Sequence, residues 1–435
     1  MGWRPPAIPA VIIILVALTA AVPRVGSPGP QAEKRPIAFA EDFFGIAHAG
    51  YSRSRAELDL LSSLGIAFSR IDFSWDIIQP RPGELDFSRF DGIVNALASH
   101  GIGTLAILDY DVGWIHPDGR AKRRVPPERM DDWLGYVRGT VGHFRGKVIG
   151  WEIWNEPNWT FWSGSVEEFA DLTRLTIKAI REVDPGTRIL VGSFFRDPVG
   201  FARAMSRRGA FEGADAISFH PYDLSPDGSA RLTANFMKEL RSMGFEGEFW
   251  ITEIGFPTEG FYPSRVREPD FPATLTKTVA LLAVSGPSRI VWYSLSDRYM
   301  ASGERRDRSI IKSSEDYLGI SYPDYSPKIG AWAYAAMIRI VQGSIFDPGV
   351  VVISGRADSL KVFPFRMRNG CLGIVAWADG AVGVESSSVL SGHQLSLDGP
   401  GESPFSAQRI RLSEKPTILV LDPMINLPIH LKRYE

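Results

Sequence analysis

The feature that most constrains this chain is a series of short, apolar, β-rich runs, eight in all, in strict alternation with helical stretches. The runs are Phe43–Ala49, Ala67–Trp75, Gly103–Tyr110, Val148–Glu156, Arg188–Phe195, Ala216–Tyr222, Glu248–Phe256 and Arg289–Asp297. The stretches between them carry apolar residues at helical spacing and end on helix stops. Ser54–Gly65 ends on glycine, as does the stretch closing at Gly101. Ser165, with Glu168 three residues on, predicts an N-cap for a helix that Asp184-Pro185-Gly186 ends. Alternation of this kind demands a parallel sheet. Eight units within about 300 residues predict a closed (β/α)₈ barrel. An open doubly wound sheet is the other arrangement that fits, but no glycine-rich phosphate turn follows the first run.

The pattern changes near Val341. Three further runs, 359–367, 371–379 and 417–423, are separated by Gly, Asn, Asp and Pro turns with no convincing helix. They predict an all-β sandwich over 344–435, with the barrel over 37–343. The first 36 residues stand apart. Ala7–Val22 is an uncharged apolar run, short for a membrane span and suited to a signal h-region, and a Pro/Gly-rich linker follows. A removed signal and a retained membrane anchor both fit. Either places the body outside the cytoplasm: periplasmic, membrane-anchored or secreted.

Composition narrows the chemistry. A net charge of −2 provides no broad basic field for nucleic acid. The single Cys371 excludes an intrachain disulfide and a thiolate-clustered metal site. The seven histidines show no metal-ligand spacing, and neither a P-loop nor a G-x-S-x-G elbow is present, so no metal or cofactor is expected.

In such a barrel the reactive groups stand at the C-terminal ends of the strands. The fourth run ends W-E-I-W-N-E-P-N, placing Asn155 and Glu156 at the mouth, and the seventh ends F-W-I-T-E-I-G-F, placing Glu253 there. Two carboxyls facing each other across a cleft are what glycosidic bond cleavage requires. Glu152, deeper on the same strand, reads as a buried ion-pair partner. Trp154, Trp159, Phe161 and Trp162 surround Glu156, while Trp151 and Trp250 alternate away toward the helices. Trp114 lies in the loop after the third run, which also carries Arg120, Lys122, Arg123 and Arg124. Charged loops of this kind are usually just solvated; the sharper reading is a site for an acidic or long polysaccharide.

Together, N-E-P on the fourth strand, T-E on the seventh and Trp on the eighth resemble the clan A retaining glycoside hydrolases. W-N-E-P-N followed by Phe161 and Trp162 is most similar to glycoside hydrolase family 39, which includes bacterial exopolysaccharide hydrolases. The resemblance covers about residues 43–343. It implies Glu156 as acid/base, Glu253 as nucleophile and Asn155 as ligand of the sugar 2-hydroxyl. It implies that Arg70 pairs with Glu253, that Tyr222 or His220 orients that carboxylate, and that Trp292 floors the sugar subsite. Trp114 and Trp162 are its candidate subsite walls. Read as residues alone, Arg70 could be a structural ion pair, His220 a satisfied core histidine and Asp72 an inward strand residue. The implied partner is an oligo- or polysaccharide, with endo-action favoured by the long loops. Exo-action, transglycosylation and a non-catalytic binding barrel stay open.

Overall fold

The computed structural model describes residues 35–260, 264–298, 314–354, 359–423 and 427–434. Eight parallel strands close a barrel: β1 (Phe44–Ala47), β2 (Phe68–Asp72), β3 (Gly103–Leu108), β4 (Gly150–Ile153), β5 (Ile189–Phe195), β6 (Ala216–His220), β7 (Glu248–Ile254) and β8 (Arg289–Trp292). Each pairs with the next, and Phe44 against Ile290 joins β1 to β8. Eight helices form the outer ring: α1 (Arg55–Leu64), α2 (Ser88–Ala98), α3 (Met130–His143), α4 (Val166–Val183), α5 (Val199–Ser206), α6 (Pro226–Ser242), α7 (Phe271–Ala283) and α8 (Ile329–Val341). The (β/α)₈ expectation therefore holds.

Local chemistry accounts for the boundaries. The Ser54 hydroxyl accepts from the Glu57 amide to start α1, and Gly65 ends it at φ 75°, a conformation open to glycine at little cost. Ser165 and Glu168 form the expected reciprocal cap of α4. Strand alternation divides the core in two. Ala47, Phe68, Leu105, Leu190, Ala216, Trp250 and Val291 fill the barrel lumen, while a larger shell lies between strands and helices. Trp250 thus points inward, contrary to the sequence expectation, and Arg188 and Arg289 lie over its ring. Trp151 packs outward on Phe73 as expected.

The C-terminal region is a curled, nine-stranded, mostly antiparallel sheet with its own core of Leu372, Ile374, Val384, Leu419, Leu421 and neighbours. No α-helix occurs among its described residues. Ile37–Ala38 pairs with Ile345–Phe346, so the chain touches this sheet before it enters the barrel. Among the described residues no helix is long and apolar enough to cross a membrane; the Ala7–Val22 run lies outside them.

Candidate active site

The strand ends at the mouth are distorted where the reactive side chains emerge. After β4 the backbone turns through Trp154 (φ 67°) and Glu156 (φ 44°), and on β5 Ser193 sits at φ 46°. Non-glycine residues there cost about 1–3 kcal/mol each and persist only where the surroundings hold them. The holding is visible. The Trp154 amide donates to Leu108 O, the Glu156 amide donates to Ser193 O, and the Trp154 ring packs against Trp133, Trp162 and Phe169. Burying Trp154 outward turns Asn155 and Glu156 in. On β7 the pairing to β8 shifts register between Ile251 and Ile254, so Thr252 and Glu253 both reach the interior.

Arg70 at the centre of β2 ties the site together. Its Nε lies 2.5 Å from Glu152 Oε2 and its Nη1 lies 2.6 Å from Glu253 Oε1. Its Nη2 donates to Asn155 Oδ1 (2.9 Å) and to Ser193 Oγ (3.1 Å). Burial alone would lower the Arg70 pKa, but the charges of Glu152, Glu253 and Asp72 outweigh it and keep the guanidinium firmly protonated. The Tyr222 hydroxyl donates to Glu253 Oε2 at 3.2 Å. Asn155 donates through Nδ2 to the Tyr110 hydroxyl at 3.2 Å.

Glu156 lies on the opposite side with a different neighbour. His220 Nδ1 is 2.8 Å from Glu156 Oε1, and its Nε2 is 3.1 Å from Thr252 Oγ1. The proton on Thr252 goes to Glu152 Oε1 at 2.8 Å. Thr252 must then accept from His220 Nε2–H, which leaves Nδ1 as a lone pair. A lone pair 2.8 Å from a carboxyl oxygen calls for a proton on that carboxyl. Electrostatics agree: burial and the Glu253 charge raise the Glu156 pKa well above the ordinary range, opposed by Arg70. Burial and Arg70 keep His220 neutral. Burial also raises Glu253, opposed by Arg70 and then His48. Because Arg70 bonds Glu253 directly, Glu253 is the member of the pair that holds the charge.

Glu156, His220 and Glu253 present one ligand atom each within 4.8 Å of one another. That spacing could receive a metal ion, but the Arg70 guanidinium already supplies the positive charge beside Glu253. The grouping suits a proton-holding carboxyl facing an ionised one.

Six further residues complete the mouth without having been given roles from sequence. His48 Nε2 lies 3.2 Å from Asp72 Oδ2, and its ring is edge-on to Tyr293. Burial and the charge of Asp72 raise Asp109 well above the carboxylate range. Burial would raise Asp72 too, but hydrogen bonds from His48 and Asp109 hold it low. The two neighbouring carboxyls are therefore driven apart, Asp72 toward the charged form and Asp109 toward the protonated one. Tyr293, with Val291 below it, faces the lumen near Glu253, whose charge, after burial, raises the Tyr293 pKa. Asp72 was left open between an inward strand residue and more. Tyr110 and Thr252 gave no signal beyond their places at strand ends.

Two aromatic expectations are corrected. Trp292 does not floor the site: it is fully buried between β8 and the helices, against Phe271 and Tyr334. Parity from Val291 makes Tyr293 the inward aromatic. Trp162 is no wall either: it packs on Trp154 and Phe169, and its Nε1 donates to Ser165 O. Trp114 is half-buried, edge-on to Trp75 and bonded to Gln79 O, so it fastens its loop. Among the described residues, Trp159 is the exposed indole, 38 % accessible beside Phe195. Of the two alternatives for orienting Glu253, Tyr222 is the closer; His220 lies nearer Glu156 and 3.7 Å from Glu253.

Known proteins share this fold. The model of the cellulase family (glycosyl hydrolase family 5) matches residues 34–255. A β-1,4-xylanase of Dictyoglomus thermophilum is 28% identical over 86 residues, which is 19% of this chain and 23% of that enzyme. The chain thus spans less than a quarter of that relative's length. Among solved structures, a family 39 glycoside hydrolase from Bacteroides cellulosilyticus WH2 superposes with TM-score 0.71 at 20% identity, covering 88% of this chain and 81% of that one. A monomeric β-xylosidase from Caulobacter crescentus CB15 gives 0.61 at 15% identity, covering 90% and 97%. At those identities the likeness is one of fold. The clan resemblance read from sequence is borne out: the matching model is that of family 5, and family 39 supplies structural neighbours.

Proposed function

This chain belongs to the cellulase family of glycoside hydrolases, glycosyl hydrolase family 5, and from that premise we propose that it cleaves β-glycosidic bonds with net retention, by double displacement through Glu253. The observation that carries the reading is the approach of the Glu156 and Glu253 carboxyl oxygens to within 4.8 Å. A retaining site needs carboxyls about 5–5.5 Å apart, whereas an inverting one needs about 6.5–9.5 Å to admit a water.

In the first step a Glu253 oxygen bonds to the anomeric carbon as the glycosidic C–O bond breaks, and the Glu156 proton passes to the leaving oxygen. Arg70 and Tyr222 hold Glu253 for attack. Forming the ester removes the Glu253 charge, and with it one of the causes that raise the Glu156 pKa. Glu156 is then a stronger acid, so its carboxylate can take a proton from water in the second step. That water's oxygen bonds to the anomeric carbon and the ester to Glu253 breaks. Asn155, its oxygen held by Arg70, keeps one amide hydrogen for the sugar 2-hydroxyl.

The long loop between β3 and α3 and the exposed Trp159 support endo-action on a polysaccharide, since both extend the cleft beyond one sugar. The apolar run at Ala7–Val22 supports a place outside the cytoplasm, with cleavage and anchoring as its two outcomes.

The test is trapping with a panel of 2-deoxy-2-fluoro glycosyl fluorides, read by intact mass and peptide mapping. A stable adduct on Glu253 is expected. Hydrolysis with inversion, or an adduct on another carboxylate, overturns the mechanism.

A further inference from the structure

The basic loop after β3 resolves into unequal parts. Lys122 pairs with Asp118, and Arg124 pairs with Glu168. Arg123 has no carboxylate partner among the described residues, yet it is the most firmly placed. Buried Asp111 accepts the Arg123 amide on Oδ1 (2.8 Å), and on Oδ2 it accepts the Lys122 amide while facing His116 Nε2. This clasp holds Arg123 at φ 56°. Its guanidinium lies 5.6 Å above the Phe161 ring and donates one bond, from Nη1 to Thr160 O. Phe161 stacks on Tyr110, the residue that accepts from Asn155. A contiguous line thus runs from the reactive centre out to Arg123.

A second arginine adjoins the segment after β4 that carries Thr160 and Phe161. Arg196 follows β5 at φ 57°, half-buried, with its amide bonded to His220 O and its side chain in no ion pair or hydrogen bond among the described residues. Asn158 clasps this segment, donating to Phe195 O and accepting from the Phe195 amide. Trp159 lies along the loop between the two arginines, exposed, its ring 5.2 Å from Phe195. Two half-buried arginines at strained positions leave guanidinium donors unmatched, and the indole offers an open face between them.

We propose that Arg123, Trp159 and Arg196 form a leaving-group subsite for an anionic sugar, one that bears a carboxylate such as a uronic acid. The side follows from Glu156, which protonates the leaving oxygen and sits at the base of this loop; this placement rests on the retaining reading above. The sugar's C–H face would lie on Trp159 and its carboxylate on a guanidinium, whose fork suits a planar anion. The opposite side is unsuited to such a group. There Asp72, Glu152 and Glu253 already crowd one Arg70, so a uronate would meet like charge.

The experiment is titration calorimetry at low salt on the full chain carrying Glu253→Gln, which removes the carboxylate charge while keeping the side chain's size. The probes are cellotetraose and a β-linked tetrasaccharide alternating glucose with glucuronate. The acidic probe should bind about tenfold tighter, with the gap closing as salt rises. Arg123→Gln and Arg196→Gln should each cost it about five- to tenfold and change the neutral probe less than twofold. Arg123→Lys should keep part of the preference. Equal affinity for the two probes overturns the proposal, and so does an equal loss on both in the arginine variants. These readouts need no catalysis, so failure of the retaining mechanism in the trapping test stays distinguishable.

Discussion

The two ends of the barrel are built from the same eight strands and treat charge in opposite ways. At the N-terminal end, a depression of about 1050 Å³ is lined by Arg145, Arg181, Arg188 and Arg241 together with Asp184, Asp215 and Glu248. There Arg181 pairs with Asp215 at 2.6 Å, Arg188 with Glu248 at 3.6 Å and Arg145 with Asp184 at 3.6 Å, all partly in water. At the C-terminal end Glu152, Glu253 and Asp72 share the field of one buried arginine, Glu156 keeps its proton, and burial beside Asp72 drives Asp109 toward its protonated form. The backbone is relaxed at the first end and forced into positive φ at Trp154, Glu156 and Ser193 at the second. A large concavity therefore does not mark the reactive end. Charge that is unevenly matched and held under strain does.

Substitutions at the two ends should separate accordingly. The largest effect is expected for Glu253→Gln, which removes the oxygen anion proposed to attack. Turnover should fall by about 10⁴-fold or more, seen in steady-state rates on any accepted glycoside. Glu156→Gln should cost about 10²–10⁴-fold on glycosides with poor leaving groups and far less on activated aryl glycosides, with azide restoring rate to the latter. Equal losses on both substrates would remove Glu156 from the proton-donating role.

Arg70→Met would leave Glu152 and Glu253 buried without their cation. About 3–5 kcal/mol of stability should be lost in urea denaturation, whereas Arg181→Gln at the other end should cost under about 1 kcal/mol. Similar values would erase the contrast between the two ends.

Thr252→Val tests the proton chain at the mouth. Without its acceptor, His220 is free to carry its hydrogen on Nδ1 and donate it to Glu156. That stabilises the charged carboxylate and lowers its pKa. The proposed mechanism needs Glu156 protonated, so activity should fall as pH rises through that pKa. The alkaline limb of kcat/KM should therefore move down by about one pH unit, while Thr252→Ser keeps it in place. An unmoved limb in Thr252→Val would show that the chain does not set the Glu156 proton.

The smallest element of the site was the hardest to read beforehand. Asn155, Glu156 and Glu253 stood out because two motifs fell at strand ends in the right order, and the Arg70–Glu253 pair followed from the resemblance. Trp292 misled because V-W-Y-S offers two adjacent aromatics, and a one-residue difference in parity sends a side chain to the opposite face. Trp162 misled because nearness in sequence to Glu156 says nothing of which way a loop aromatic packs. The pairing of Lys122 and Arg124 with acids, which leaves Arg123 unmatched, depends on contacts made across the loop after β3 and the start of α4.

By itself the sequence determined the barrel, the change to an all-β sheet after Val341 and the strands that bear the two glutamates. Those follow from periodicity, capping and short motifs, all properties of neighbours along the chain. Only the tertiary structure decided which oxygen meets which donor: that Thr252 gives its proton to Glu152, that His220 consequently faces Glu156 with a lone pair, and that Tyr293 rather than Trp292 looks into the site. Such choices turn on a register shift in β7 and on groups from four strands meeting around Arg70, and no local pattern encodes distances between strands that closure of the barrel alone brings together.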